Sequence, residues 1–410
     1  MRRLLSLCLV LSLAASARAA DAPPKPNTLT PKEIADGWIL LWDGETTFGW
    51  RSPNDSKWTI AEGMLAPQTD KPGLLVTTSP FKDYELVFDF QRKPQSKAVV
   101  SVGCGAEGEP GADADARTVK LQDFGSGGWT RAEVEVKGGY AQGKVYRPLG
   151  ATLQAPRGVP TRLIPDDKRH DKSGNIVLSG SGVVFRNIKL IPLHAKLLFN
   201  GKDLSGWKEF PGKKSKFNVT KDGNIHLEGG PGDLQTEGQW ADFVLQLDCI
   251  SNGDHCNSGV FFRCIPAEFE NGYEAQIRNE FTAAPKQEYN IEEYDPKTHE
   301  LKGEKKEKYT AVDYGTGAIY RRAPARKELS KDRQWFGMTI VASGRHIATW
   351  VNGVQAVDWT DERPTADNPR KGCRLEKGAI SLQGHEAAVE DLDFRNIRIQ
   401  DLTTTEEKKP

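Results

Sequence analysis

The sequence has no surplus of charge of either sign, since 56 Lys and Arg balance 56 Asp and Glu over 410 residues. That balance leaves no electrostatic footprint for nucleic acid or for an anionic membrane surface, and neither partner is expected. Long apolar runs are missing too. The run from Leu4 to Leu13 falls well short of the roughly 20 residues that cross a bilayer, and no later segment qualifies, so no membrane span is expected. Arg2 and Arg3 precede that run and Ala17-Arg18-Ala19 follows it, the pattern of a cleaved export signal over residues 1–20. This predicts a periplasmic or secreted protein.

Cysteines are few, and one of the six, Cys8, lies inside the signal. For the other five an oxidising compartment predicts at least one bridge, within the cluster Cys249, Cys256 and Cys264, and the odd count leaves one thiol over. Small buried thiols in strands are the alternative for Cys104 and Cys264. Neither Gly-x-Ser-x-Gly nor His-Glu-x-x-His occurs. Gly103-Cys104-Gly105-Ala106-Glu107-Gly108 matches a dinucleotide fingerprint, but Glu109-Pro110-Gly111 follows where a helix should start, so a turn is expected. Asp254-His255-Cys256 lacks a second spaced pair of metal ligands, and Asp113 with Asp115 reads as a solvated loop. No cofactor is therefore expected, a divalent ion such as Ca²⁺ being the one left open.

What is present is a repeat. Phe199-Asn200-Gly201-Lys202-Asp203-Leu204-Ser205-Gly206-Trp207 echoes Trp42-Asp43-Gly44-Glu45-Thr46-Thr47-Phe48-Gly49-Trp50. In order, Gly232-Asp233-Leu234-Gln235-Thr236 then answers to Gly73-Leu74-Leu75-Val76-Thr77, and Phe394-Arg395-Asn396-Ile397 to Phe185-Arg186-Asn187-Ile188. The offset between copies grows from 157 residues at the opening motif to 209 at the closing one, so the second copy carries 52 additional residues. They include the Lys- and Glu-rich stretch from Asp295 to Lys308, read as a solvated loop in preference to a lid. Trp50 and Trp207 hold equivalent places in the repeat and are expected in the cores.

Most periodic segments alternate with period two. Tyr84, Leu86, Phe88 and Phe90 share one face of a strand; Phe243, Leu245, Leu247 and Cys249 share one face of another. Asn200-Gly201, Asp222-Gly223, Asn271-Gly272 and Asn352-Gly353 are turn dipeptides between such runs. The expected architecture is all-β: two tandem β-sandwich domains, 37–194 and 195–402, with a linker at 21–36 and a frayed tail at 403–410.

Four motifs of the second copy place polar residues on strand faces. Asn257-Ser258-Gly259-Val260-Phe261-Phe262-Arg263 sets Gly259, Phe261 and Arg263 opposite Val260 and Phe262. Tyr273-Glu274-Ala275-Gln276-Ile277 leaves Glu274 and Gln276 away from the apolar face, and Ser381, Gln383 and His385 alternate with Ile380 and Leu382. Gly315-Thr316-Gly317-Ala318-Ile319-Tyr320 brings Tyr320 on a Gly-rich approach. Singly, each has an ordinary reading, such as a cross-strand Arg–Glu pair or a Gln bonded to a loop carbonyl. Jointly they are absent from the first copy, which reads Ala98-Val99-Val100-Ser101-Val102-Gly103-Cys104 and Val177-Leu178-Ser179-Gly180 there, while the closing Phe-Arg-Asn-Ile survives in both. A convergent polar set on a rigid sheet is what a binding or catalytic site requires.

These motifs, with Trp350-Val351-Asn352-Gly353 and the closing Phe394-Arg395-Asn396-Ile397, closely resemble the 3-keto-disaccharide hydrolase family. The resemblance covers Lys196 to Leu402, and the first copy resembles a shortened, diverged member. One departure is Glu386, where the family usually has Gly. The resemblance implies concanavalin A-like jelly-roll sandwiches, an oligosaccharide or glycoside as partner, and cleavage of glycosidic bonds in sugars oxidised at C3. Ordinary glycosidases need two carboxylates flanking the bond. A C3 ketone instead acidifies the C2 proton, so one base and one oxyanion stabiliser suffice, with an acid for the leaving oxygen. On that logic Glu274 and His385 are base or acid in either order and Arg263 holds the oxyanion, while Asn257, Gln276, Gln383 and Tyr320 hold hydroxyls. A lectin-like carbohydrate binder without turnover is the alternative, and an adhesion or scaffolding protein a third. The oligomeric state is open.

Overall fold

The structure is a computed structural model that describes residues 25–68, 72–106, 117–121, 124, 126–146, 159–161, 172–385 and 391–403. The expected export signal, Asp113, Asp115, Glu386 and the tail beyond residue 403 lie outside the described residues.

The fold is all-β, two concanavalin A-like jelly-roll sandwiches, each pairing an eight-stranded antiparallel sheet with a five-stranded one. In the first, the smaller sheet runs Trp50–Arg51, Gly73–Thr77, Asn175–Gly180, Ala98–Cys104, Arg117–Lys120. In the second it runs Trp207–Glu209, Gly232–Thr236, Ala379–Gly384, Ser258–Cys264, Tyr273–Ile277. The strands take the same places in chain order, so one topology is written twice.

The two repeated motifs have local physical reasons. At the opening, Asp43 Oδ1 accepts from the amides of Glu45 and Thr46 at 2.9 and 3.1 Å, and Asn200 Oδ1 from those of Lys202 and Asp203 at 2.7 and 3.0 Å. Gly49 and Gly206 then turn the chain at φ 82° and 84°, where a side chain is strained. The indoles of Trp50 and Trp207 enter the cores and donate to Leu41 O and Leu198 O at 2.6 and 2.8 Å. At the closing motif, Asn187 and Asn396 sit at φ 53° and 54°, where the strand register shifts. Their amides donate to Asp89 and Asp248, both at 2.7 Å, and the preceding guanidiniums lie 3.8 Å over Trp129 and Trp335.

The sandwiches pack on one another. Val244, Val341, Ala348 and Trp350, from the outer face of the second domain's eight-stranded sheet, join the core of the first. Trp350 Nε1 donates to Leu40 O at 3.0 Å, Thr78 Oγ1 to Asp358 at 2.7 Å, and Gln400 Nε2 to Asp83 O and Leu193 O at 2.8 and 2.6 Å. This is why Phe243–Ser251 is buried on both faces at Val244 and Gln246, although its sequence alternates like a half-buried strand.

Three expectations change. The stretch read as a linker holds a short helix, Pro31–Asp36, closed by a Thr30/Glu33 capping box, and Asn27 exchanges hydrogen bonds with Asn187 at 2.6 and 2.7 Å. No bridge forms within Cys249, Cys256 and Cys264. Cys249 and Cys264 carry free buried thiols; Cys249 and Cys256 lie in the main core, whereas a bulge between Phe261 and Cys264 breaks the alternation and puts Cys264 in a cluster with Phe261 and Ala379 on the other face of its sheet. The charged stretch is an ordered two-stranded ribbon, Gln287–Tyr294 with Leu301–Tyr309. Cross-strand ion pairs tie it, as in Lys306–Glu288 at 3.2 Å and Lys305–Glu293 at 3.5 Å. The ribbon belongs to residues 278–335, which stand where the first domain has only 121–129.

Candidate active site

Alternation along the second domain's five-stranded sheet sends Leu234, Val260, Phe262, Ala275, Ile380 and Leu382 into the core. The opposite face carries two cross-strand rungs. Gln235 pairs with Ser381, Ser381 with Phe261, and Phe261 with Glu274. One step along, Asp233 pairs with Gln383 and Gly259 with Gln276. Gly259 is a glycine for a packing reason: an added Cβ would stand 2.7 Å from Glu274 Cγ and 2.9 Å from Oε1. The Glu274 side chain therefore leans across Gly259 toward the rung that holds Gln276 and Gln383.

This face is rich in buried oxygens that lack a donor. Asp233 Oδ1, Gln276 Oε1, Gln383 Oε1 and Ser381 Oγ are buried without a hydrogen-bond partner. Their other polar atoms are engaged: Asp233 Oδ2 accepts from Glu270 N at 2.9 Å, Gln276 Nε2 donates to Asn257 at 2.9 Å, and Gln383 Nε2 to Glu270 at 3.2 Å. Native proteins rarely leave buried acceptors unmade, because each costs stability. Four on one face mark a place built for a donor-bearing ligand.

Glu274 is buried on that face, and burial pushes its carboxyl up to about 8, with Glu270 and Asp233 adding to the rise while Arg370 and Arg321 oppose it. Arg370 Nη2 lies 3.8 Å from Glu274 Oε2, and its guanidinium sits 5.4 Å from the centre of the Phe261 ring. Glu274 and Arg370 line one cleft with Tyr273, Tyr320, Arg322 and Pro369. Burial also raises the Asp233 carboxyl, to about 6, opposed first by the Glu270 amide.

Tyr320 comes to the cleft on an edge extension of the sheet. Gln276 N donates to Ala318 O at 3.0 Å, Gly317 N to Gln276 O at 2.8 Å, and Tyr320 N to Glu274 O at 3.0 Å. The chain at 316–320 thus runs beside Tyr273–Ile277 and sets Tyr320 next to Glu274. Asn257 reaches the site through Gln276. His385 follows directly after Ala379–Gly384, half-buried and in step with Ser381 and Gln383.

Arg263 does not share this face, contrary to the alternation expected for it. Between Phe261 and Cys264 the strand carries one residue more than its partner, and at this bulge Arg263 adopts φ 51°. Its fully buried guanidinium donates to Ala241 O, Gly344 O and Arg374 O at 2.7, 2.8 and 2.9 Å and to Asp242 at 3.0 Å. The cation at the site is Arg370, on a loop pinned from below. Arg363 grips Asp361 at 2.8 and 2.7 Å and donates to Pro369 O and Gly372 O, while Tyr273 OH donates to Asp361 at 2.6 Å. From the ribbon side, Arg322 joins Glu292 at 3.4 Å to Arg370 O at 3.2 Å.

Asp233, Gln235 and Arg370 are the residues that sequence reasoning missed. The first two had a signal, because the repeat sets them against Leu74 and Val76, apolar residues of a small cluster in the first domain. Arg370 had none, since it stands in a loop with no counterpart in the repeat. Among the described residues no group of three or more His, Cys, Asp or Glu is placed to hold a metal ion. No helix among them is long and apolar enough to cross a membrane.

A polar sheet face beside an ionisable cleft is the setting of a ligand site, and the family to which the chain belongs gives it a glycosidase-like or carbohydrate-binding role. More narrowly, the chain belongs to the 3-keto-alpha-glucoside-1,2-lyase-like domain family, whose model matches residues 37–146 and 194–400. No curated protein matches it. Among solved structures it is similar to a candidate glycosyl hydrolase of Parabacteroides distasonis, at 24% identity over 51% of this chain and 94% of that one, with a TM-score of 0.38. It is also similar to carbohydrate binding module CBM66 of Bacillus subtilis, at 15% identity over 48% and 96% of the two chains, with a TM-score of 0.30. A protein of galectin-like fold from Bacillus subtilis matches at 12% identity over 51% and 95%, with a TM-score of 0.33.

Proposed function

We propose that the second domain cleaves glycosidic bonds of 3-keto-glucosides by elimination across C1 and C2, followed or not by addition of water. The observation that carries this reading is the buried Glu274 carboxyl 3.8 Å from Arg370 on a face of unpartnered acceptors. A base takes the C2 proton, and the electron pair moves onto the C3 oxygen as an enolate. The ketone then re-forms as the C1–O bond breaks and C1=C2 forms, and the departing oxygen takes a proton. Glu274, protonated at neutral pH, is the acid for that oxygen, and His385 the base. Arg370 faces the enolate oxygen, in place of the Arg263 that the spacing suggested. Gln276, Gln383, Asn257 and Tyr320 hold hydroxyls. The protein acts on its substrate outside the cytoplasm.

The test is to incubate the full chain and its Glu274→Gln variant with methyl 3-keto-glucoside and to follow release of methanol and the mass of the sugar product. We expect an unsaturated 3-keto sugar or its hydrate from the wild type, with a loss of rate above pH 8 as Glu274 ionises, and at least a hundredfold slower release from the variant. Sugar binding with no release at any pH would replace this reading by the lectin-like one.

A further inference from the structure

Asp233 is the least expected residue on the site face. It is 1% exposed, with one carboxyl oxygen held by the Glu270 amide and the other without a partner. An incompletely satisfied buried carboxyl costs stability. The fold does not require it, since the equivalent position of the first domain is Leu74, in the same strand of the same sheet. Its place in the rung is also telling. The Glu274 carboxyl leans over Gly259, and Asp233 lies two strands away beyond Gln383. At about 4.8 Å per strand this exceeds what one sugar ring covers. The edge beside Asp233 is differently built from the Arg370 cleft. Phe210, whose amide donates to Asp233 O at 2.8 Å, meets Phe269 at 5.4 Å between ring centres, and Lys213 Nζ lies 3.4 Å over Phe269.

We propose that Asp233 forms the centre of a second sugar subsite, which takes the ring on the far side of the scissile bond, so that a disaccharide lies across the strands. This rests on the reading above that Glu274, whose side chain leans over Gly259, acts on the bond between the keto ring and its leaving group. The orphaned oxygens of Asp233 and Gln383 are acceptors, so the ligand meets them with hydroxyl donors, and a neutral polyhydroxylated residue fits. The rings of Phe210 and Phe269 offer apolar surface to its C–H face, and Lys213 a donor to its hydroxyl oxygens.

Calorimetric titration of the full chain with an unoxidised glucosyl-glucose disaccharide and with methyl glucoside, and with the 3-keto form of each, tests this in the wild type, Asp233→Asn and Asp233→Leu. The Leu variant copies the first domain, and its melting temperature checks the fold. We expect Asp233→Leu to weaken the disaccharides about tenfold to a hundredfold, the range for a hydrogen bond to a charged group, and to leave the methyl glucosides within about twofold. Asp233→Asn should fall between. Equal weakening of both sugar lengths, no weakening of either, or no disaccharide binding by the wild type would overturn the subsite. If the disaccharide-selective loss appears while the wild type releases no aglycone, the cleavage reading fails and the subsite stands.

Discussion

Glu274 offers the sharpest quantitative test, through stability instead of rate. Its carboxyl is held near 8, against an ordinary 4.5, chiefly because burial penalises the charged form. A carboxyl whose value is raised in the fold contributes its full stability below 4.5, and loses it progressively as pH climbs toward 8. Between pH 4.5 and pH 7 the unfolded chain gives up this proton while the folded chain keeps it. At about 1.4 kcal/mol per pH unit that costs the fold roughly 3 kcal/mol by pH 7. Glu274→Gln keeps the shape and removes the titration, so the variant should gain on the wild type as pH rises. For a domain of this size 1 kcal/mol moves the melting temperature by about 2–4 °C, which predicts a gap that widens by roughly 6–12 °C between pH 4.5 and 7. Tryptophan fluorescence melts at half-unit pH steps from 4.5 to 9 measure it, and Asp233, present in both proteins, cancels. A gap that stays constant with pH, or closes as pH rises, would refute the claim that the fold holds Glu274 neutral.

Two further substitutions test the geometry around that carboxyl. Arg370→Ala should lower kcat on methyl 3-keto-glucoside by about 10²–10³ with a much smaller change in KM, and Arg370→Lys should restore part of it; wild-type kcat in the Ala variant would remove Arg370 from the oxyanion role. Gly259→Ala sets a methyl within 2.7 Å of Glu274 Cγ and must displace that side chain, so activity should fall at least tenfold with the melting temperature within a few degrees of wild type; unchanged activity would show that the carboxyl works from elsewhere.

The fold was legible because its determinants are local. Period-two alternation gave the strands, and the opening motif repeats because an Asx turn, a positive-φ glycine and an indole-to-carbonyl bond fix the same corner twice. Glu274, Gln276 and Gln383 were legible for the same reason, since regular alternation puts them on the face opposite the core. Arg263 failed where regularity failed: a single extra residue at a bulge turns its side chain away, and nothing in the local sequence distinguishes a bulged Arg from an aligned one. Arg370 was invisible because its position depends on long-range ties, from Arg363 to Pro369 and Gly372 and from Arg322 to its own carbonyl. The ribbon looked like a loop because its second strand, Leu301–Tyr309, is charged and exposed along most of its length; its anchor is Tyr289, whose ring stacks on Tyr314 at 3.9 Å, with Ile291 and Tyr309 packed on the core.

The two copies differ in a way that assigns the first a role. Where the second domain sets Asp233, Gln235 and Ser381 on the outer face of its smaller sheet, the first has Leu74, Val76 and Val177, gathered with Cys104 into an apolar cluster. Among the described residues, the strands of that face offer Ser101 and Thr118, bonded to one another at 3.0 Å, where the second domain has Phe261 and Glu274. The first domain's other contribution is the seal over the back of the second, where Trp350, Val244 and Val341 are each no more than 2% exposed. Cut away, the second domain would present that indole and those side chains to water, at roughly 1.5–3 kcal/mol for each large apolar side chain uncovered. The strands that bear them, Phe243–Ser251, Phe336–Ser343 and His346–Val351, back the same core on which Tyr273–Ile277 and Ser258–Cys264 carry Glu274 and Gly259. The first domain thus packs against the back of the scaffold on whose front Glu274 and Gly259 stand.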